Sequence, residues 1–183
     1  MSKTQYYTAA SIDGFIATAD HSLEWLFPLG DINDTSYPQF IRDVGALAMG
    51  ANTYAWMLAH VVGKGAPWPY TQPTWVFAHR ALKGIAGADI RFVADDVETV
   101  HAAMRQAAGD DRNIWIVGGG DLAGQFHDAG LLDELIVQIG SVTLGAGQPL
   151  LPRAITRPSM VLESVRHVGP GFAELRYRLP KRT

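Results

Sequence analysis

Cysteine is absent from all 183 residues. That excludes disulfides, thiol nucleophiles and thiolate metal sites, and with them a bridge-held secreted scaffold. A reducing cytoplasm is the expected setting. Charge is also sparse, with 18% Asp, Glu, Lys and Arg and a formal net charge of −3. No basic surplus is present to hold nucleic acid or an anionic membrane surface. No stretch of about 18 apolar residues occurs, so no transmembrane helix is expected. The opening Met1-Ser2-Lys3-Thr4-Gln5-Tyr6 lacks the apolar run of a signal peptide. The histidines are scattered without H-E-x-x-H or related spacing, so no metal is expected. No Gly-x-Ser-x-Gly elbow occurs, which removes α/β-hydrolase chemistry.

What is present points to a globular enzyme-like domain. Hydrophobic residues make up 48% of the chain, enough for a packed core in one domain spanning 1–183. There are 19 glycines and 10 prolines, which implies many tight turns or close approaches of backbone to ligand.

Short apolar runs alternate with amphipathic segments. Strands are expected at 5–10, 15–18, 46–49, 74–78, 90–93, 114–117 and 135–139. Residues 20–35, with Pro28, Gly30 and several acids, read as a long loop, and a short helix follows Pro38. Asp95-Asp96 opens a helix in which Val97, Val100, Met104 and Ala107 recur at helical spacing. The last third changes character. Strands at 161–168 and 172–179 flank Gly169-Pro170-Gly171, and Ala173, Leu175, Tyr177 and Leu179 alternate with Glu174, Arg176 and Arg178. That alternation predicts an antiparallel strand with one wet face. The fold class is therefore α/β, three layers around a mixed, mostly parallel sheet with antiparallel C-terminal strands.

Two junctions carry the strongest chemical signal. Ile114-Trp115-Ile116-Val117 runs through Gly118-Gly119-Gly120 straight into a helix at Asp121-Leu122. Glycines let a diphosphate approach the backbone, and a helix start offers free N–H groups. The other reading is a glycine turn needed only for strand–helix packing. Ala46-Leu47-Ala48-Met49-Gly50 followed by Ala51-Asn52-Thr53-Tyr54 repeats the design. Two such junctions suit a ligand with two phosphates. Neither is the G-x-G-x-x-G fingerprint of an ordinary dinucleotide fold.

Four ordered segments then carry a resemblance: Ala9-Ala10-Ser11-Ile12-Asp13-Gly14-Phe15-Ile16-Ala17, Met49 to Tyr54, Trp75-Val76-Phe77-Ala78-His79-Arg80, and Ile116-Val117-Gly118-Gly119-Gly120. Leu131 to Leu135 and Leu144-Gly145-Ala146-Gly147 add to it. The chain resembles the dihydrofolate reductase-like superfamily over residues 4–180, and within it the RibD C-terminal-like branch. The resemblance implies that fold and NADPH as cofactor, with NADH the alternative. It places Ala10 and Ile16 beside the nicotinamide. Gly50, Asn52 and Thr53 meet the diphosphate on one side, and Val117, Gly119, Gly120, Asp121 and Leu122 on the other. Gln125 approaches the adenine half, while His79 and Arg80 sit at the adenosine-phosphate edge. Where the family often has arginine after Met-Gly, this chain has Ala51, so a 2′-phosphate contact falls to Arg80.

The substrate end departs from the family. Trp25-Leu26-Phe27-Pro28 is followed by Gly30 at the spacing of the pterin-binding carboxylate, with Asp31 next to it. Asp13 and Asp31 are the catalytic candidates, Asp13 as substrate orienter or proton relay or else as a turn stabiliser. Trp25 and Trp68 are candidates for an apolar substrate pocket or for simple core packing. The expected activity is hydride transfer from NADPH to a small heterocyclic or conjugated acceptor. Reduction of 5-amino-6-(5-phosphoribosylamino)uracil is the enzymatic rival. A catalytically idle nucleotide-binding module is the rival of another class. The zinc-dependent deaminase half is not expected in these 183 residues, which lack its cysteine ligands. A homodimer is expected through the C-terminal sheet edge.

Overall fold

The computed structural model describes residues 2–181. Strand β1 (Thr4–Ser11) and the short β2 (Phe15–Ala17) lead into a long connection with single 3-10 turns at Phe27–Leu29 and Ile32–Asp34. Helix α1 (Tyr37–Phe40) and strand β3 (Val44–Gly50) follow, and β3 runs directly into α2 (Ala51–His60). Next come β4 (Thr74–Phe77), β5 (Ile90–Val93), α3 (Val97–Ala108), β6 (Asn113–Gly118) and α4 (Gly120–Asp128). The chain ends with β7 (Glu134–Gly140), β8 (Gln148–Pro149), β9 (Val161–Val168) and β10 (Phe172–Arg178).

Eight strands form one sheet in the order β5-β4-β3-β6-β1-β7-β10-β9. From β5 to β7 every pairing is parallel. Strand β10 runs antiparallel between β7 and β9. This is the expected mixed sheet. Parallel strands need crossovers that cover both faces, and the burial pattern follows. On one face Ala46, Ala48, Ile114 and Ile116 pack with Val100 and Met104 of α3 and Phe126 of α4. On the other, Tyr7, Leu47, Trp115 and Ile136 pack with Phe40 of α1, while Met49 and Val76 pack with Tyr54 of α2. Helix α3 starts where its cap dictates: the Asp96 carboxylate accepts from the Thr99 N–H at 2.8 Å.

One expectation is corrected, and one element is added. Glu174 does not lie on a wet face of β10: it is 1% exposed, while Ala173 is exposed. The connection between β2 and β3 covers that face and brings Ser36 onto the Glu174 carboxylate. Strand β8 has no counterpart in the sequence reading. It pairs antiparallel with β2 through Phe15–Pro149 and Ala17–Gln148.

Candidate functional site

Strands β3 and β6 are neighbours, yet the chain leaves them in opposite directions. Helix α2 carries it outward to β4, and α4 carries it past β1 to β7. Such a switch point opens a crevice above the carboxyl ends of the strands. A cleft of about 900 Å³ lies there, and both glycine junctions line it. Gly50, Asn52 and Thr53 contribute from the β3–α2 junction. Val117, Gly119, Gly120, Asp121, Leu122 and Gln125 contribute from the β6–α4 junction.

The three successive glycines have different reasons for being glycine. Gly118 has φ +147°, a backbone conformation that side chains resist, and its bond to Gly119 is cis. A Cβ on Gly120 would stand 2.3 Å from the Pro149 carbonyl oxygen, so that glycine serves packing. A Cβ on Gly119 would meet nothing nearer than Ile16 Cδ1 at 3.9 Å. On Gly50 the nearest atom would be the Gly118 oxygen at 3.8 Å. Neither Gly119 nor Gly50 is demanded by packing. Their missing side chains leave backbone open to the cleft, as a bound diphosphate requires.

Ile16 and His79 also line the cleft, and Asp31 lies on its lining with its carboxylate turned to Asn33, accepting from the Asn33 backbone and side-chain nitrogens at 2.8 Å. Gln125 donates to Asp121 at 3.0 Å, and Arg153 pairs with Asp121 at 3.3 Å. The remaining predicted residues lie outside the lining. Ala10 is fully buried in the core. Arg80 is exposed on the loop after β4. Asp13 accepts from Ser11 at 2.6 Å and from the Leu144 and Gly145 N–H groups. The Ser11 hydroxyl and those backbone donors hold its carboxyl below the usual range, so Asp13 ties the β1–β2 turn to the loop after β7. The Trp25 ring packs near Gly140, and Trp68 packs on Tyr54 and Tyr70.

Sequence reasoning missed a polar cluster at the β7–β10 end of the cleft. Gln138 and Tyr7 line the cleft. Gln138 Nε2 faces Tyr7 Oη at 2.6 Å, Glu174 Oε2 at 3.0 Å and Ser36 Oγ at 3.2 Å. The Ser36 hydroxyl donates to Glu174, and Arg166 closes the far side of that carboxylate. Burial pushes the Glu174 carboxyl up, but Ser36, Gln138 and Arg166 together outweigh it and hold the group below its ordinary value. Burial pushes the Tyr7 phenol up, so it stays protonated. The available signal was period two: Glu134, Ile136 and Gln138 share one face of β7, and Glu174 is the register partner of Gln138.

The sequence model of the RibD C-terminal domain family matches residues 68–173. "Uncharacterized protein YwjB" of Bacillus subtilis (strain 168) is 29% identical over 167 residues, covering 91% of this chain and 92% of its own length. A Shewanella sp. PV-4 protein assigned to riboflavin biosynthesis superposes with TM-score 0.80 at 23% identity, over 98% of this chain and 99% of its own. Dihydrofolate reductase from Enterococcus faecalis, solved in complex with NADP(H), superposes with TM-score 0.61 at 18% identity, over 97% of this chain and 95% of its own. The fold is thus the dihydrofolate reductase-like one.

Proposed function

The chain belongs to the RibD C-terminal domain family, and from that premise we propose that it is a reductase passing hydride from NADPH to a small heterocyclic or conjugated acceptor. One observation carries the reading: two strand-to-helix junctions meet at the switch point, and Gly50 and Gly119 there leave backbone open that packing does not need. The N-termini of α2 and α4 hold the two phosphates through free N–H groups. Asn52 and Thr53 bind on one side, Asp121 and Leu122 on the other. Ile16 and Val117 keep water from the nicotinamide. The cofactor supplies the hydride, and the protein supplies position, dry walls and a route for one proton. NADH is the alternative donor, because no arginine follows Gly50. The Shewanella neighbour's assignment to riboflavin biosynthesis supports a pyrimidine acceptor as the second reading.

A homodimer through β9 completes the proposal. Val161, Leu162 and Val165 of that edge strand are 46%, 51% and 61% exposed, and covering an apolar edge favours association. Sedimentation at twice the chain mass supports it, and a monomer at all concentrations overturns it.

The cofactor reading is tested by titrating NADPH while following tryptophan fluorescence. Saturable quenching below millimolar cofactor is expected, and its absence overturns the reading. Oxidation of bound NADPH is then followed over a pterin, pyrimidine and quinone panel. Binding without oxidation by any of them favours the idle nucleotide-binding module.

A further inference from the structure

Beyond the two glycine junctions, the cleft ends in an aromatic slot. Tyr7, Tyr37, Tyr70 and Trp115 line it; Phe40 backs Tyr7 from the core at 4.2 Å between ring centroids, and Trp115 stands edge-on to Tyr37 and Tyr70 at 5.8 and 5.6 Å. Walls of this kind accept a flat ring. One amide in the slot has its orientation fixed. Gln138 Nε2 faces three oxygens, one of them the Glu174 carboxylate. A flipped amide would set its carbonyl oxygen against the Glu174 carboxylate and against Ser36 Oγ, whose hydrogen is already committed to that carboxylate. Among the described residues, no protein donor reaches Gln138 Oε1, and Oε1 is not among the buried polar atoms sealed off without a partner. It is therefore the atom that Gln138 offers to the cleft.

The neighbouring hydroxyls reinforce this polarity. Ser36 spends its hydrogen on Glu174. Tyr7 accepts from Gln138 and sends its own hydrogen to Ser36 at 3.1 Å. The cluster has no hydrogen left to donate into the slot, so it matches a ligand that donates. Charge narrows the ligand further. Among the described residues no lysine or arginine lines the cleft, whose charged groups are Asp31, Asp95 and Asp121 beside the titratable His21 and His79. Asp31 follows Gly30, which packs on Pro170 before β10, and is exposed with its carboxylate accepting from Asn33. The two helix starts that can take phosphate without a cation are those assigned above to the dinucleotide.

We infer that the acceptor is a neutral, unphosphorylated planar heterocycle whose ring N–H donates to Gln138 Oε1. The inference rests on the reductase reading and narrows its substrate class. Calorimetry on the NADPH-loaded protein tests it, with lumazine, an N-methylated lumazine, uridine and uridine 5′-monophosphate as probes. Lumazine is expected to bind, and N-methylation to weaken it by about tenfold, the size of one lost buried hydrogen bond. Uridine 5′-monophosphate is expected to bind no tighter than uridine. Gln138→Met is expected to bring lumazine down to its methylated form while NADPH binding persists. Equal binding of the two lumazines by the wild-type protein overturns the inference without reliance on any variant. So does a phosphate that tightens uridine tenfold, or a loaded protein that ignores lumazine. All three leave the reductase reading standing. Only failure of NADPH to saturate the protein removes that reading, and the inference with it.

Discussion

The two edges of the parallel sheet use the same residue types to opposite ends. At the edge where the strands begin, a Cβ on Gly45 would stand 2.4 Å from the Ala108 carbonyl oxygen and 2.8 Å from Arg112 Cβ. Glu134, 1% exposed in its side chain, is held there by Lys3 and Gln5, with Arg176 at 3.9 Å. None of these residues lines the cleft. At the edge where the strands end, Gly119 has room for a Cβ, in ordinary contact with Ile16 at 3.9 Å, and the equally buried Glu174 is bound by Gln138, which does line the cleft. Both glutamates lie on one face, on neighbouring strands. Burial of a glycine or a carboxylate therefore says little about function. What the surroundings leave unfilled or unpaired says more.

The largest effect is expected at the first edge. Gly45→Ala forces a methyl against backbone that cannot swing away, and a loss of about 3 kcal/mol in urea unfolding follows. Cofactor affinity of the folded fraction stays at the wild-type value. Lys3→Met comes next. It leaves Glu134 buried without its closest cation, and a loss of about 2 kcal/mol is expected, at the low end because Gln5 still donates. Weaker NADPH binding in the folded Lys3→Met protein would break the comparison, since it would tie this edge to the cleft.

The sequence exposed one edge more fully than the other. The runs Ala46 to Met49 and Ile114 to Val117 named the central strands, and the glycines after them named the junctions, because these signals are local in the chain. The Glu174 site was hidden because its partners are remote: Ser36 lies 138 positions away and Gln138 lies 36 away. Alternation along β10 alone put Glu174 in water. Only the long connection folding over that face reverses the assignment. The same distance hid the partners of Asp13, since the Leu144 and Gly145 N–H groups that it accepts from lie 131 and 132 positions away.

At the cleft edge the effects move from stability to binding. Gly119→Ala places a methyl in ordinary contact with Ile16, so stability is expected to change by less than about 0.5 kcal/mol. The same methyl occupies the space assigned to the diphosphate. NADPH affinity is expected to fall at least tenfold, or about 1.4 kcal/mol. An unchanged dissociation constant would return Gly119 to the class of Gly120, a packing glycine.

The smallest effect concerns pH. The Glu174 carboxyl is held below its ordinary value of 4.5 in the folded chain, because Ser36, Gln138 and Arg166 together outweigh its burial. The unfolded chain therefore binds a proton more readily than the folded one. Stability from this group is fully present above about pH 4.5 and is lost as pH falls through the lower folded value. Glu174→Gln removes that dependence. Thermal melts of the two proteins, taken at falling pH, are expected to converge below the ordinary carboxylate range and to diverge above it. The same substitution changes what faces Gln138 Nε2, since a neutral amide can present either an oxygen or an N–H there. In the former case Gln138 keeps its orientation, and lumazine binding to the NADPH-loaded protein survives the loss of charge. In the latter the Gln138 amide turns over, and its discrimination between lumazine and the N-methylated form is lost. Either result separates what the charge of Glu174 does for the fold from what its oxygen does for the slot.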